Sequence, residues 1–251
     1  MDADRFTGRA ETYKKYRSSY PVGLIDYLYL DAGFYKGCVV ADAGSGTGIF
    51  SRFLLERGSV VYCVEPNADM RRIAEADLKE FINFHSIGAP AEDTGLAGEC
   101  IDFVTAAQAF HWFDAERFKG ECRRILKPGG KAALIWNTRD SDDEFIKRDY
   151  AIREKYCVDK KGLGESGGPP ADVEGFFNGG CEKRVFDNTL TLSREAYAGM
   201  NLSRSYSPRE DKEPEKYRGM LREMEILYDE YQTGGALRFP QHAVCFIGFV
   251  L

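Results

Sequence analysis

Cys38-Val39-Val40-Ala41-Asp42-Ala43-Gly44-Ser45-Gly46-Thr47-Gly48 reads as a short apolar strand that runs straight into a glycine loop. The next turn supplies Ile49, Phe50, Phe53 and Leu54 at helical spacing, and Gly58 stands where a helix C-terminus favours glycine. A buried strand, a tight glycine turn and an amphipathic helix make the opening half of a βαβ unit. The fold follows from asking whether the rest of the chain repeats it.

It does. Val60–Val64 is a second apolar run, closed by Glu65-Pro66, and Asn67 can cap a helix carrying Met70, Ile73, Ala74, Leu78 and Phe81 on one face. Ile82–His85 reads as a third strand and Ile101–Ala107 as a fourth. Asp114 can cap a helix through Leu126, and Lys127-Pro128-Gly129-Gly130 turns the chain into a fifth strand, Lys131–Trp136. Five strand–helix units in series call for a parallel sheet covered on both faces, with right-handed crossovers. Upstream, Val22 to about Leu30 reads as a helix. Downstream, Lys161–Gly180 is rich in glycine and reads as a surface loop or lid. Val185–Leu192 reads as a strand, Glu215–Tyr231 as an amphipathic helix and Ala243–Val250 as a final apolar strand. With no internal repeat, residues 1–251 are expected to be one domain: a helical cap over 1–35, a core over 36–137 and an elaboration over 138–251.

Bulk properties narrow the classes. A chain of 251 residues, 43% hydrophobic and 29% charged, fits an ordinary globular enzyme. Its N-terminus is not a secretory signal and no apolar run approaches the ~20 residues that span a bilayer, so a cytoplasmic protein without membrane contact is expected. Seven scattered cysteines without a C-x-x-C pair argue against a disulfide framework or a zinc site, so no metal is expected. The net charge of −6 disfavours a general grip on phosphate backbones, so no nucleic-acid partner is expected either.

The glycine loop also speaks about its ligand. Gly44, Gly46 and Gly48 give G-x-G-x-G, whereas the dinucleotide fingerprint G-x-G-x-x-G would need glycine where Ile49 stands. Asp42, two residues before the first glycine, would repel a pyrophosphate. It tolerates a ligand bearing a sulfonium and an α-ammonium, which is S-adenosylmethionine (SAM). Glu65, ending the second strand, can accept hydrogen bonds from both ribose hydroxyls.

The chain resembles the class I, Rossmann-like SAM-dependent methyltransferases, and among them the type 11 small-molecule group that includes trans-aconitate methyltransferases. The resemblance rests on Val39–Gly48, on Val64-Glu65-Pro66-Asn67 with Met70, on Ala91-Glu92, on Gln108–Phe113, on Leu126–Gly130 and on Tyr13-x-x-x-Arg17-x-x-Tyr20-Pro21. It implies a doubly wound α/β sheet of seven strands, mostly parallel with an antiparallel C-terminal strand, plus helical N-terminal and C-terminal lid elements. It also implies a cofactor across the ends of strands 1, 2 and 4. On that basis the cofactor-binding residues are Asp42, Gly44, Ser45, Gly46, Gly48, Glu65 and Pro66, with Ala91 and Glu92 bordering the adenine and Ala107 and Gln108 near the methionine moiety. S-adenosylhomocysteine would be the product.

His111 and Trp112 follow the fourth strand, where the transferred methyl should emerge. His111 is the candidate catalytic residue, as a general base toward a hydroxyl or an orienting group; the competing reading packs Phe110–Phe113 as a supporting aromatic cluster. Tyr13, Tyr16 and Arg17 either pack as a helix face or close over the site, with Tyr13 and Arg17, beside His111 and Trp112, as candidate substrate contacts. Ser203-Arg204-Ser205-Tyr206 reads as a surface loop. No Asn/Asp-Pro-Pro-aromatic run follows the fourth strand, as methylation of planar amino groups would ask, and no Pro-Cys, as cytosine C5 chemistry would ask. A small molecule methylated on a carboxylate or hydroxyl oxygen is the expected acceptor. Methylation of RNA or protein, a nicotinamide-dependent oxidoreductase and cofactor binding without catalysis are the alternatives.

Overall fold

A computed structural model describes residues 15–16, 18–160, 163, 168–177 and 180–250. Nine strands are formed among the described residues: β1 (Val39–Ala43), β2 (Val60–Val64), β3 (Phe84–Ile87), β4 (Ile101–Ala107), β5 (Leu126–Arg139), β6 (Cys181–Asp187), β7 (Leu190–Leu192), β8 (Leu237–Phe239) and β9 (Gln241–Gly248). Seven make one sheet in the order β3-β2-β1-β4-β5-β9-β6, parallel except for β9, which runs antiparallel to both neighbours. The strand order reverses at β1/β4, which places the ends of those two strands at the crevice where open α/β sheets take ligands.

The helices named among the described residues are α1 (Val22–Leu30), α2 (Ile49–Glu56), α3 (Ala68–Leu78), α4 (Ala115–Ile125), α5 (Glu144–Tyr156), α6 (Val173–Phe176), α7 (Arg194–Leu202) and α8 (Pro214–Tyr231). Their starts follow local chemistry. Asn67 accepts the Met70 N–H at 3.0 Å and Asp114 accepts the Arg117 N–H at 3.1 Å, the two caps expected from sequence. One face of the sheet packs on α1 and α2 through Leu24, Leu28, Phe50 and Leu54. The other packs on α4 and α6 through Phe118, Cys122, Ile125, Trp136, Phe176 and Phe177. A third cluster, built from α5, α7, α8, β7 and β8, gathers Phe145, Tyr197, Met220, Met224, Leu227 and Phe239. No helix among the described residues is long and apolar enough to cross a membrane.

Several expectations are corrected. The third strand begins at Phe84 rather than Ile82, because pairing with β2 starts at Val61↔Phe84 and leaves Ile82 94% exposed. The span Val185–Leu192 is not one strand. It is β6 in the large sheet and β7 paired with β8 in a small one, broken at Asn188, whose side-chain amide donates to Ser19 O and Asn137 Oδ1. Within Lys161–Gly180, Val173, Phe176 and Phe177 are core residues rather than part of a surface loop, and Lys119 donates to Gly175 O at 3.1 Å. Ser203–Tyr206 is not a surface loop either: Ser203 and Tyr206 are buried, each hydroxyl engaged internally.

Candidate cofactor and acceptor site

The loop after β1 is shaped by its own backbone. Gly44 and Ser45 donate their N–H groups to Val64 O at 2.8 and 3.1 Å, and Gly46 donates to Glu65 Oε2 at 2.9 Å. Gly44 and Gly48 require glycine on two counts. Both hold left-handed backbone (φ +66° and +79°), and a Cβ would lie 2.6 Å from Ala109 Cβ in the first case and 2.7 Å from Leu78 Cδ1 in the second. Gly48 thereby sets the approach of α2 to α3. Gly46 is also left-handed, at φ +58°, but a Cβ there would meet nothing within 4 Å, so its outer side faces open space.

Glu65 sits at the end of β2 and is only 8% exposed. Its Oε1 accepts the Asn67 N–H at 2.8 Å while Oε2 takes Gly46, leaving each oxygen further lone pairs. Burial pushes its pKa up, against the two N–H donors and Arg71, which pull it down. A buried acceptor pair at a strand end fits the vicinal hydroxyls of a ribose. The Thr47 hydroxyl is buried with no hydrogen-bond partner among the described residues, a second polar group suited to a ligand. The loop offers little to a pyrophosphate, since three of its amides are spent on Val64 and Glu65 and a carboxylate stands beside it. The donor set fits the nucleoside and cationic parts of SAM.

Asp42 is placed differently from the expectation. It is 1% exposed, and its oxygens accept Ser51 Oγ at 2.5 Å and Thr105 Oγ1 at 2.7 Å, so the carboxylate ties β1 to α2 and β4 beneath the loop. Burial, only partly offset by those two hydroxyls and reinforced by Glu65, raises its pKa to about 6. The sign follows. A carboxyl group whose folded pKa lies above its unfolded value stabilises the fold below the unfolded value, and that contribution is lost as pH rises through about 6. Asp42→Asn is therefore expected to gain about 2–3 kcal/mol on wild type between about pH 4 and about pH 7. Denaturant midpoints at the two pH values measure this; a constant difference between the proteins would refute it.

On the far side of the crevice Gln108 ends β4 with φ +56°, left-handed for a residue with a side chain. Its backbone N–H donates to Ile135 O at 2.8 Å and its Nε2 to Asn137 O at 3.0 Å, which hold the strained conformation in place. This left-handed residue stands at the carboxyl end of β4, where the strand order reverses. Ala107, half-buried, pairs with Ile135 just before it. Phe110–Trp112 then form one 3₁₀ turn. Phe110 is anchored among Phe113, Phe118, Trp136 and Phe176, as the packed-cluster reading asks, while His111 and Trp112 stay half-buried with ring centroids 4.8 Å apart. Trp136 Nε1–H donates to His111 Nδ1 at 3.3 Å.

Of the remaining expected contacts, Pro66 lies half-buried beside Glu65, and the Ala91 side chain is fully buried against the α4 face. Glu92 Oε1 accepts the Asp114 N–H at 2.9 Å and so ties its loop to the start of α4. Tyr13 and Arg17 lie outside the described residues. Their neighbours cross the sheet's carboxyl edge: Tyr16 O–H donates to Glu195 at 2.8 Å, Ser19 O accepts from Asn137 and Asn188, and the Tyr20 ring meets Phe50 edge-on at 5.0 Å.

The crevice has an electrostatic neighbour that sequence reading missed. Asp149, fully buried on α5, accepts Tyr197 O–H at 2.8 Å, Asn201 Nδ2 at 3.1 Å and Arg153 Nε at 2.8 Å, with Arg139 Nε 4.0 Å away. Arg153 also donates to Tyr206 Oη at 3.2 Å. Burial pushes the Tyr206 phenol up, but the guanidiniums of Arg204, Arg153 and Arg139 outweigh it and bring it down to about 7.

Residues 41–134 match the family described as a methyltransferase domain. That segment carries the likeness to a methyltransferase domain. An uncharacterized methyltransferase of Mycobacterium tuberculosis is 38% identical over 135 residues, 54% of this chain and 53% of that protein. A malonyl-[acyl-carrier protein] O-methyltransferase of Pectobacterium atrosepticum is 33% identical over 101 residues, 40% of this chain and 39% of its own. The chain thus spans about half the length, or less, of these relatives. A solved structure assigned as a type II methyltransferase of Anaeromyxobacter dehalogenans superposes with a TM-score of 0.61 at 24% identity, covering 94% of this chain and 98% of that one, and shares the fold. The glycine loop, Glu65 and the end of β4 all lie within the matched segment.

Proposed function

We propose that the protein transfers the methyl group of SAM to an oxygen of a small-molecule acceptor, and that this acceptor is a carboxylic acid. The observation that carries the reading is Glu65 bridging the Gly46 and Asn67 N–H groups at the end of β2, beside an open left-handed Gly46. Ser45 and Thr47 belong to the same binding loop, and Tyr13 and Arg17 are assigned to the acceptor side with His111 and Trp112. The bound cofactor supplies a methyl group already activated as a sulfonium.

The protein's task is then alignment and exclusion of water, worth up to about 7–11 kcal/mol of barrier in favourable cases. Glu65 and the loop hold the nucleoside end, and Gln108 fixes the floor between the two ligands. The segment around Ser19 and Tyr20 covers the edge. The sequence resemblance to the trans-aconitate methyltransferases supports an acidic acceptor. The Pectobacterium relative's name likewise describes methylation of an oxygen.

The test is incubation of the full chain with methyl-labelled SAM and separate panels of mono- and dicarboxylic acids, phenols, tRNA and protein extract. Label in a small ester is the expected product. Label in the RNA or protein fraction alone would overturn the acceptor reading, and stabilisation by NAD but not by S-adenosylhomocysteine would overturn the cofactor reading.

A further inference from the structure

We propose that Arg71 on α3 is a positioning residue for the cofactor's ribose. Its guanidinium brackets the end of β2 to the end of β3, fixes where the Glu65 carboxylate stands and sets positive charge behind it. The inference rests on Glu65 being the ribose acceptor, as proposed above.

The Glu65 oxygens are held by the Gly46 and Asn67 N–H groups, but those bonds do not fix the backbone from which the side chain hangs. β2 ends at Val64. The Glu65 N–H still reaches Ile87 O on β3 at 3.0 Å, whereas Pro66 has no N–H to give. Arg71 secures this stretch. Its Nη1 donates to Glu65 O at 2.9 Å and to Pro66 O at 3.4 Å. Its backbone N–H donates to Asn67 O at 3.0 Å, so Asn67 bonds the Glu65 carboxylate through its N–H and Arg71 through its carbonyl. Glu65, Asn67 and Arg71 thereby close a ring of hydrogen bonds around the strand end.

The guanidinium also meets the end of β3. A Cβ on Gly88 would lie 3.0 Å from Arg71 Cζ and 3.1 Å from Nη1, so the group rests directly against that backbone. Arg71 Nε is 3.7 Å from Glu75 Oε1, which accepts the Ser86 hydroxyl at 2.7 Å. A planar guanidinium serves several such partners at once, whereas an ammonium brings the charge without the fork. Among the described residues, the charged groups set around Glu65 are Arg71, paired with Glu75, on α3 and Asp42 on β1. Ser86, Ile87 and Gly88 at the end of β3 carry no charge. Burial favours the neutral Glu65 carboxyl and Arg71 opposes it. Without that cation Glu65 takes up its proton at a higher pH, and the site loses its acceptor pair earlier as pH falls.

The experiment is calorimetric titration of S-adenosylhomocysteine into the full chain from about pH 5 to about pH 8, which spans the range of raised carboxyl groups. Arg71→Met is expected to weaken binding at neutral pH on the order of tenfold, and to begin its acid-side fall at a higher pH than wild type. Arg71→Lys keeps the charge without the fork. It is expected to lose part of the neutral-pH affinity while its acid-side fall stays near that of wild type. The displacement should persist in an Asp42→Asn background, because Asp42 titrates in the same window. Arg71→Gln, which keeps an N–H donor without the charge, gives the same comparison if Arg71→Met does not fold.

Equal losses in the methionine and lysine variants, with no displacement in pH, would overturn the proposal, since that is what a merely structural role produces. Unchanged affinity in both would overturn it too, and a loss in Glu65→Ala would then leave the ribose reading standing. If the wild type binds no S-adenosylhomocysteine, the cofactor reading falls and the ribose role of Arg71 falls with it. The bracket is then decided in the ligand-free protein by a ¹³C-carboxyl titration, with the Glu65 signal identified by its loss in Glu65→Gln. A higher midpoint in Arg71→Met than in wild type is expected, and identical midpoints would overturn the bracket.

Discussion

Glu65→Ala is expected to weaken S-adenosylhomocysteine binding by at least about a hundredfold. Hydrogen bonds to a charged acceptor contribute about 1.5–3 kcal/mol each, and a ribose would make two of them to this carboxylate. The side chain also shapes the site before any ligand arrives, because Gly46 and Asn67 both donate to it. Alanine leaves those N–H groups without their acceptor and loosens the loop as well as removing the ribose contacts. Glu65→Gln separates the two contributions. It keeps one carbonyl oxygen and is expected to lose affinity by a smaller factor with the loop intact. The raised pKa of Glu65 adds a pH signature: affinity should begin to fall on the acid side sooner than an ordinary glutamate would dictate, since the protonated form accepts less well. Calorimetric titration across pH measures all three quantities. Unchanged affinity in the alanine variant would remove Glu65 from the ribose site.

What could be read in the sequence depended on how local the cause was. The glycine loop, Glu65 and the Asn67 and Asp114 caps are set within a few residues of themselves, and each stands where the sequence reading placed it. The strands that erred did so for non-local reasons. Ile82 has the residue type of a strand, yet register against β2 excludes it. Asn188 ends β6 because its amide is wanted by Ser19 and Asn137, both far away in sequence.

The site divides the same way. Asp42 was legible as part of the loop, but which way its carboxylate turned depended on Ser51 and Thr105, one of them on another strand. The pairing of His111 with Trp136 joins neighbouring strand ends 25 residues apart. Nothing at either position alone announces it. The Asp149 cluster left the least trace, since Asp149 and Arg153 at i,i+4 look like an ordinary exposed helix pair. Only the packing of α7 and α8 against α5 turns that pair inward.

That inward turn makes Asp149→Ala the substitution with the largest expected cost to stability, about 3–5 kcal/mol. An exposed i,i+4 pair contributes a few tenths of a kcal/mol, whereas both partners here are essentially excluded from water. Removing the carboxylate leaves Arg153 buried without its counter-charge, with Arg139 4.0 Å from the vacated oxygen. It also takes the acceptor from Tyr197 O–H and Asn201 Nδ2, two buried donors on α7. Replacing both charged residues together should cost less than replacing Asp149 alone, because the penalty comes from the orphaned cation. The wild-type carboxyl is held below the usual carboxylate range, against the push of burial, by Arg153, Arg139 and the Tyr197 hydroxyl. A group depressed in the fold stabilises above its unfolded pKa and loses that contribution as pH falls, so the gap between wild type and Asp149→Ala should narrow in acid. Urea unfolding at neutral and acid pH, with the Asp149→Ala/Arg153→Met double variant alongside, tests each step. A neutral-pH loss below about 1 kcal/mol would mean that water reaches this cluster and screens its charges.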